Sequence, residues 1–376
     1  MRWRVLHRWL LAWSLTALLY GAAAAFASEA DPAVTIAAPR PEIPVAVPLD
    51  AAPTIAHIAL LLPVSSSAYA RPAEAVRLGF LMAAKSQGST PLPIRVYAVS
   101  DDAQQIVAGY SQALGAGARL VVGPLTRGGV TVIIESGRLS APTLALNVPD
   151  RALPLPRQLY ALSLHVEAEA RQVAQLAFKD GRLKALTVNG DTPLLRRIHQ
   201  AFVEEFIRLG GEHVAAYEFT ADPAGLARIK QAAGLGLTDM AFLALDFRRA
   251  RLARPYLDPL PLYASSQINP GNAGPLAGFD LANIRFLDMP WLLQPDHAAV
   301  MVYPRQDFQG ALDLERLYAL GIDAFRLAQA LLEGKGDATL DGVTGRLSLG
   351  RDRRFVRELT AAQFAGGKLL IIAGEQ

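Results

Sequence analysis

From Ile55 onward the chain alternates short apolar runs with segments whose apolar residues return every three to four positions. Runs of the first kind suit strands buried on both faces, and segments of the second kind suit amphipathic helices. HIALLLP (57–63) predicts the first strand and AEAVRLGFLMAAKSQG (73–88), ending in Gly88, the first helix. PIRVYAVS (93–100), RLVVGP (119–124) and PTLALN (142–147) read as further strands. Helices are predicted between them over 102–117, with Asp101 or Asp102 as N-cap, and over 126–140. A second series opens with QLYALS (158–163) as a strand, a helix over 167–181 and the strand LKALTVN (183–189). Thr192-Pro193 and Asp222-Pro223 are cap-plus-proline helix starts, and Gly210-Gly211 stops the first of those helices. HVAAYEF (213–219), DMAFLALD (239–246), PLYASS (261–266) and NIRFLDMP (283–290) are the later strands, with a helix after Asp246. A long helix over 314–334 and three β-like pieces, GRLSLG, FVRELT and KLLIIAG, close the chain.

This order predicts an α/β fold of two doubly wound, Rossmann-like lobes with parallel sheets and helices on both faces. The elements after residue 280 are too few for a third domain, so the chain is expected to cross back to the first lobe and then return to the second. Lobe 1 is placed at about 55–160 plus about 290–340, and lobe 2 at about 161–289 plus the C-terminal strands. Ligands of such folds bind outside the carboxyl ends of the strands, here between the lobes.

The N-terminal residues add an address. Arg2, Arg4 and Arg8 precede an uncharged run from Trp9 to Phe26, and Ala25-Phe26-Ala27 forms a small-x-small site before Ser28. These are the parts of a secretory signal peptide, expected over residues 1–27. Residues 28–54 carry six prolines and predict an extended linker, either a spacer or a tail without a role. The body, 55–376, is then exported to the periplasm. A membrane contact is expected only through an uncleaved signal segment.

The three leader arginines hold the whole charge excess of the chain, so residues 28–376 are formally neutral with 34 charges of each sign. A neutral body lacks the electrostatic footprint of a nucleic-acid binder. The chain has no cysteine, which excludes disulfides, thiolate chemistry and a lipidated cysteine. The six histidines show no H-x-x-x-H or H-x-H spacing, so no metal site is expected; His57 and His199 read as structural. There is no G-x-S-x-G elbow and no phosphate-loop motif. The glycine pairs 115/117 and 234/236 follow helices, the reverse of a dinucleotide loop. No catalytic residue and no cofactor are expected.

Polar loops at strand ends remain as candidates. Ser65, Ser66 and Ser67 follow the first strand, Gly123 and Thr126 the third, and Asn147 ends the fourth. Asn189, Asp246, Ser266 and Gln267 hold comparable places in the second series, beside Ser265. Topology makes them the rim of one cleft, with a small-molecule ligand as a candidate occupant. The competing account is turn chemistry, since Ser, Thr, Asn and Asp cap helices and shape turns. Trp291 lies after a strand near an expected lobe crossing, where an aromatic either stacks on a ligand or packs the hinge.

IALLLPVS (58–65), VVGPL (121–125) and APTLALN (141–147) resemble the first lobe of type I periplasmic binding proteins. PLYASSQI (261–268), IRFLDMPWLL (284–293), LYALGIDAFRL (317–327) and GVTGRLSL (342–349) resemble the penicillin-binding protein activator family of the LppC/LpoA type. The resemblance covers about residues 55–365. It implies a non-catalytic periplasmic regulator that binds a class A, bifunctional penicillin-binding protein and stimulates peptidoglycan synthesis. The alternative is a solute-binding receptor for an amino acid or similar small acid feeding an ABC transporter. Asp323 in GIDAF sits where such proteins carry a structural acid. Two departures stand out. Family members typically carry a lipidated cysteine, and the larger ones a helical-repeat region where this chain has only the proline-rich stretch.

Overall fold

The computed structural model describes residues 54–88, 90–271 and 275–372. The expected signal peptide, and the linker up to residue 53, lie outside them.

The first sheet has five parallel strands in the order β2-β1-β3-β4-β5: β1 His57–Leu62, β2 Ile94–Ala98, β3 Ala118–Val122, β4 Thr143–Ala145 and β5 Leu159–Ala161. Every residue of β1 is buried. Ile58, Leu60 and Leu62 face one side, with α1 (Ala70–Ser86); Ala59 and Leu61 face the other, with α2 (Ala103–Gly115). α3 (Arg127–Glu135) adds Ile133 to that second side. This two-sided burial is why the strand is a continuous apolar run.

The second sheet has seven strands in the order β15-β14-β10-β9-β8-β6-β7. Its parallel part is β6 Lys184–Asn189, β7 Glu212–Glu218, β8 Met240–Ala244, β9 Leu262–Ala264 and β10 Ile284–Asp288. α4 (Val166–Lys179) and α5 (Pro193–Arg208) cover one face; α6 (Pro223–Gly234), α7 (Phe247–Ala253) and the chain after α8 (Pro275–Asp280) cover the other. The cap-plus-proline starts form as the sequence predicts. The Thr192 side chain accepts from Leu195 N–H, and that of Asp222 from Ala224 and Gly225 N–H. Asp102, rather than Asp101, caps α2.

After β10 the chain returns to the first lobe. α9 (Pro290–Leu293), α10 (Ala298–Met301) and α11 (Leu312–Leu332) contribute Trp291, Val300 and Phe325 to the core beneath β1 and α1. A separate three-stranded antiparallel sheet follows, of β11 Leu340–Gly342, β12 Gly345–Leu349 and β13 Phe355–Glu358. The chain then crosses again, and β14 (Thr360–Ala365) and β15 (Lys368–Ile371) join the second sheet antiparallel, β14 beside β10.

Three features depart from the sequence reading. QLYALS, placed at the head of the second series, is the edge strand of the first sheet. The 146–158 connection holds Pro149, Pro154 and Pro156, no helix intervenes, and the chain turns straight back beside β4. The closing β-like pieces divide between two sheets. TAAQFA, which lacks a clear alternation, is a full strand because β10 offers it a free edge.

α1 and α11 pack at backbone distance because each presents a glycine. A Cβ on Gly79 would lie 1.9 Å from the Tyr318 carbonyl oxygen, and one on Gly321 would lie 2.1 Å from that of Val76. Neither obstacle is a side chain that can swing away. Gly79→Ala or Gly321→Ala is therefore expected to force the helices apart and cost about 1–3 kcal/mol, against little effect for Gly115→Ala, where a Cβ meets nothing within 4 Å. Urea denaturation of the three variants checks the difference.

Candidate functional site at the floor of the inter-lobe cleft

The chain passes between the lobes at 161–166, 288–291 and 358–360. Buried backbone at such crossings must find hydrogen-bond partners. Charged side chains from both lobes supply them, around a cavity of about 240 Å³ lined by Glu169, Ser266, Gln267, Asp288, Arg316 and Arg357 among others.

Each group is placed by its element. Glu169 lies in the first turn of α4, where the helix dipole favours acids. Ser265 caps the single helical turn 266–268 by accepting from Gln267 N–H at 3.4 Å, which leaves the Ser266 N–H facing Glu169. Glu169 Oε1 accepts that N–H at 2.5 Å, and Oε2 accepts the Ser266 hydroxyl at 3.1 Å. Asp288 ends β10. Its Oδ1 accepts from Met289 N–H at 2.8 Å, and its Oδ2 accepts from Arg316 Nη2 and Asn269 Nδ2, both at 2.9 Å. Arg316, from α11, also donates to the Ser266 carbonyl at 3.1 Å and so ties α11 to both β9 and β10. Arg357 donates to the carbonyls of Ser163 at 2.9 Å and Thr344 at 3.0 Å, joining the first crossing to the third. Gln172 braces the same crossing, donating to the Arg357 carbonyl and accepting from Leu359 N–H. Behind this layer, fully buried Asp323 accepts from Val343 N–H, Thr344 N–H and the Thr344 hydroxyl at 3.0, 2.7 and 2.6 Å.

Burial, and next the like charge of Asp288, pushes the Glu169 carboxyl up to about 7; the Ser266 N–H and the charges of Arg316 and Arg357 act against the rise. Burial alone would lower the Arg316 pKa, but the charge and hydrogen bond of Asp288 outweigh it and hold the guanidinium above its ordinary value. Arg357 is pulled below its ordinary value by burial, which the charges of Glu169, Asp288 and Asp323 only partly offset. Asp323 is raised by burial against its three hydrogen bonds from residues 343–344.

Of the residues singled out from sequence, only Ser266 and Gln267 line this cavity. Ser66 is buried, and its hydroxyl accepts from Ala68 and Tyr69 N–H at the entry to α1, while Ser65 and Ser67 are exposed. Thr126 caps α3 and Asp246 caps α7. Asn147 donates to the Leu125 carbonyl and accepts from Val148 N–H. Asn189 is half-buried at the end of β6, with its carbonyl accepting from Phe219 N–H. Gly123 has φ +112, and a Cβ there would lie 2.1 Å from the Leu61 carbonyl oxygen, so close packing requires it. For Ser66, Thr126, Asn147 and Asp246, turn and cap chemistry accounts for what the side chains do. Trp291 is 1% exposed, tilted against Tyr318 and covered by the Arg305 guanidinium at 4.0 Å. It packs the crossing, which leaves no ring face for a ligand to stack on. His57 and His199 are held in structural hydrogen bonds, to Ile55 and Tyr97 and to Thr187.

Sequence reasoning missed Glu169, Asp288, Arg316 and Arg357. Asp288 carried a signal: an acid inside the apolar phrase FLDMPW needs a buried partner. Among the described residues, no group of three or more acidic or histidine side chains is placed to hold a metal ion. No helix of the described residues is long and apolar enough to cross a membrane.

Two doubly wound lobes, three crossings and a polar floor define the class of type I periplasmic-binding-protein-like folds. The chain belongs to the LppC family, whose model, described as "LppC putative lipoprotein", matches residues 49–367. Among characterised relatives, the penicillin-binding protein activator LpoA of Edwardsiella piscicida is 30% identical over 76% of this chain and 47% of its own length. The chain thus spans about half the length of the curated relatives it matches. A solved structure from Chromobacterium violaceum, described as a "putative branched-chain amino acid ABC transporter", is 40% identical with a TM-score of 0.71, covering 82% of this chain and 99% of that one. The LpoA C-domain from Haemophilus influenzae, described as a regulator of PBP1A, shares the fold at 24% identity and a TM-score of 0.70, covering 84% of this chain and all of that one.

Glu169 makes the floor sensitive to pH. Its folded pKa of about 7 stands above the ordinary 4.5. Its contribution is therefore fully present below pH 4.5 and is lost as pH rises through about 7. Between mildly acidic and mildly alkaline pH the protein should lose about 3 kcal/mol more stability than Glu169→Gln, which keeps the acceptor but carries no charge. Parallel denaturation curves for the two proteins across that range measure the gap; equal slopes would contradict a buried protonated acid.

Proposed function

We propose that this chain is a non-catalytic periplasmic regulator that binds and activates a class A, bifunctional penicillin-binding protein. The observation that carries this reading is the match to penicillin-binding protein activators across most of the folded body. The signal-like leader supports the periplasmic address. The lobe limits we adopt are 55–160 with about 290–340, and 161–289 with the C-terminal strands; membership of the second sheet supports the last assignment for β14 and β15, whereas β11–β13 form a sheet of their own, with Val343, Leu347 and Phe355 in the first lobe's core.

The receptor alternative needs a cleft acid free to meet a ligand ammonium group. The three acids lining the floor cavity are already engaged: Asp288, 2% exposed, by Arg316 and Asn269; Glu169, 7% exposed, by Ser266; and Asp313, exposed at the mouth, by Arg316 Nη1 at 3.1 Å. This engagement favours the regulator. The eleven strand-end residues are in our reading scaffold for the cleft rim, with Ser266 and Gln267 nearest any ligand.

The test is a pull-down with purified class A penicillin-binding proteins joined to a glycan-polymerisation assay. The expected result is capture of the partner and faster polymerisation at micromolar regulator. Neither capture nor stimulation would overturn the proposal. Under the same reading, branched-chain amino acids leave the melting temperature unchanged, whereas a receptor would be stabilised by mass action.

A further inference from the structure

Beside the floor, on the flank formed by the first and third crossings, lies a second cavity of about 430 Å³. Five arginines line it: Arg127, Arg151, Arg171, Arg354 and Arg357, together with His165. The carboxylates on its wall are Asp150 and Asp352. Asp150 accepts the Thr131 hydroxyl at 2.6 Å, and Asp352 pairs with Arg354 at 3.5 Å. Arg151 is paired with Glu135, which is not part of the wall.

Three guanidinium groups are left without a carboxylate partner. Arg127 donates only to the Pro149 carbonyl, at 3.3 Å. Arg357, 8% exposed, donates only to backbone carbonyls. Arg171 makes no hydrogen bond and no ion pair among the described residues, although it is half-buried. Cations gathered in a half-enclosed space repel one another at low effective dielectric, and the burial of Arg357 is only partly offset by the charges of Glu169, Asp288 and Asp323. His165 senses this field: burial, and then the charges of Arg127, Arg171 and Arg197 working against Glu167, hold it below its ordinary pKa. An anion bound there would relieve the repulsion among these cations.

We infer that this cavity binds a small anion carrying two or more acidic groups, of the carboxylate or phosphate type. Both groups present paired oxygens that a guanidinium fork meets with two hydrogen bonds. The volume falls within the range of small-molecule sites and exceeds what one inorganic ion fills, so at least two acidic groups on a short spacer suit three separated guanidinium groups. The first turns of α3 and α4 also adjoin the cavity through Arg127 and Ala168, and add the partial positive charge of their N-termini. A zwitterionic amino acid is a poor match, because its ammonium would enter an already cationic space.

The test uses the full chain and isothermal titration calorimetry at constant ionic strength, with citrate, pyrophosphate and sodium chloride as probes. Saturable binding of citrate or pyrophosphate, but not chloride, is expected, and the tighter of the two tells carboxylate from phosphate. Arg127→Gln and Arg171→Gln should each weaken binding about tenfold while leaving the ligand-free melting temperature unchanged or raised. No binding at millimolar citrate or pyrophosphate would overturn the proposal, as would arginine variants that bind as the wild type does. No penicillin-binding protein enters the experiment, so its failure leaves the activator reading standing, and the converse holds too.

Discussion

Arg316 meets Asp288 at the point where the two lobes share a floor, and the rest of the architecture is arranged around that contact. α11 belongs to the first lobe by its packing against α1, yet its arginine reaches the ends of β9 and β10 in the second. The Asp288 side chain is 2% exposed and that of Arg316 12%. Such a pair contributes little net stability compared with an apolar contact, but breaking it is costly because the surviving charge stays buried. Its effect is positional, fixing where α11 stands against the second sheet. Arg357 and Gln172 do the same for the other two crossings through backbone carbonyls and N–H groups.

The legible part of this structure is the part determined locally. A cap followed by proline specifies a helix start within four residues, so Thr192 and Asp222 could be read without knowing any neighbour. The run HIALLL could be read because burial on both faces leaves one composition. Strand membership is different. Leu159–Ala161 is short and Thr360–Ala365 lacks a clear alternation, and the sheet of each is chosen by which edge the chain reaches, not by its own residues. GRLSLG and FVRELT were legible as strands, but not their pairing with Leu340–Gly342 into a third sheet, for the same reason.

The floor was least legible of all. Glu169 and Ser266 are 97 residues apart, and Arg316 and Asp288 are 28 apart. In sequence, Glu169 sits in EAEAR and Arg316 in LERL, both of which read as solvated helix faces. Only tertiary packing turns these faces inward. The residue types that did attract notice, Ser, Thr, Asn and Asp at strand ends, serve either as caps or as ligand contacts with the same hydroxyl or carboxylate. Ser66, Thr126 and Asp246 spend that capacity on backbone N–H groups, and the sequence holds no sign of which way the choice falls.

Charge is distributed unevenly across the region between the lobes, and the unevenness is itself informative. At the centre, Asp288 and Asp313 answer Arg316, so the floor carries its own counter-charges and needs none from a solute. On the flank, Arg127 and Arg171 face open volume without an acid in contact. Arg357 lines both cavities and is the side chain at which they meet. An anion on the flank would therefore act on the same guanidinium that joins the first crossing to the third. Its negative charge would weaken the pull that Arg357 exerts on Glu169. A raised Glu169 pKa then accompanies an occupied flank, which links the protonation state of the floor to the occupancy of the cavity beside it through one shared side chain.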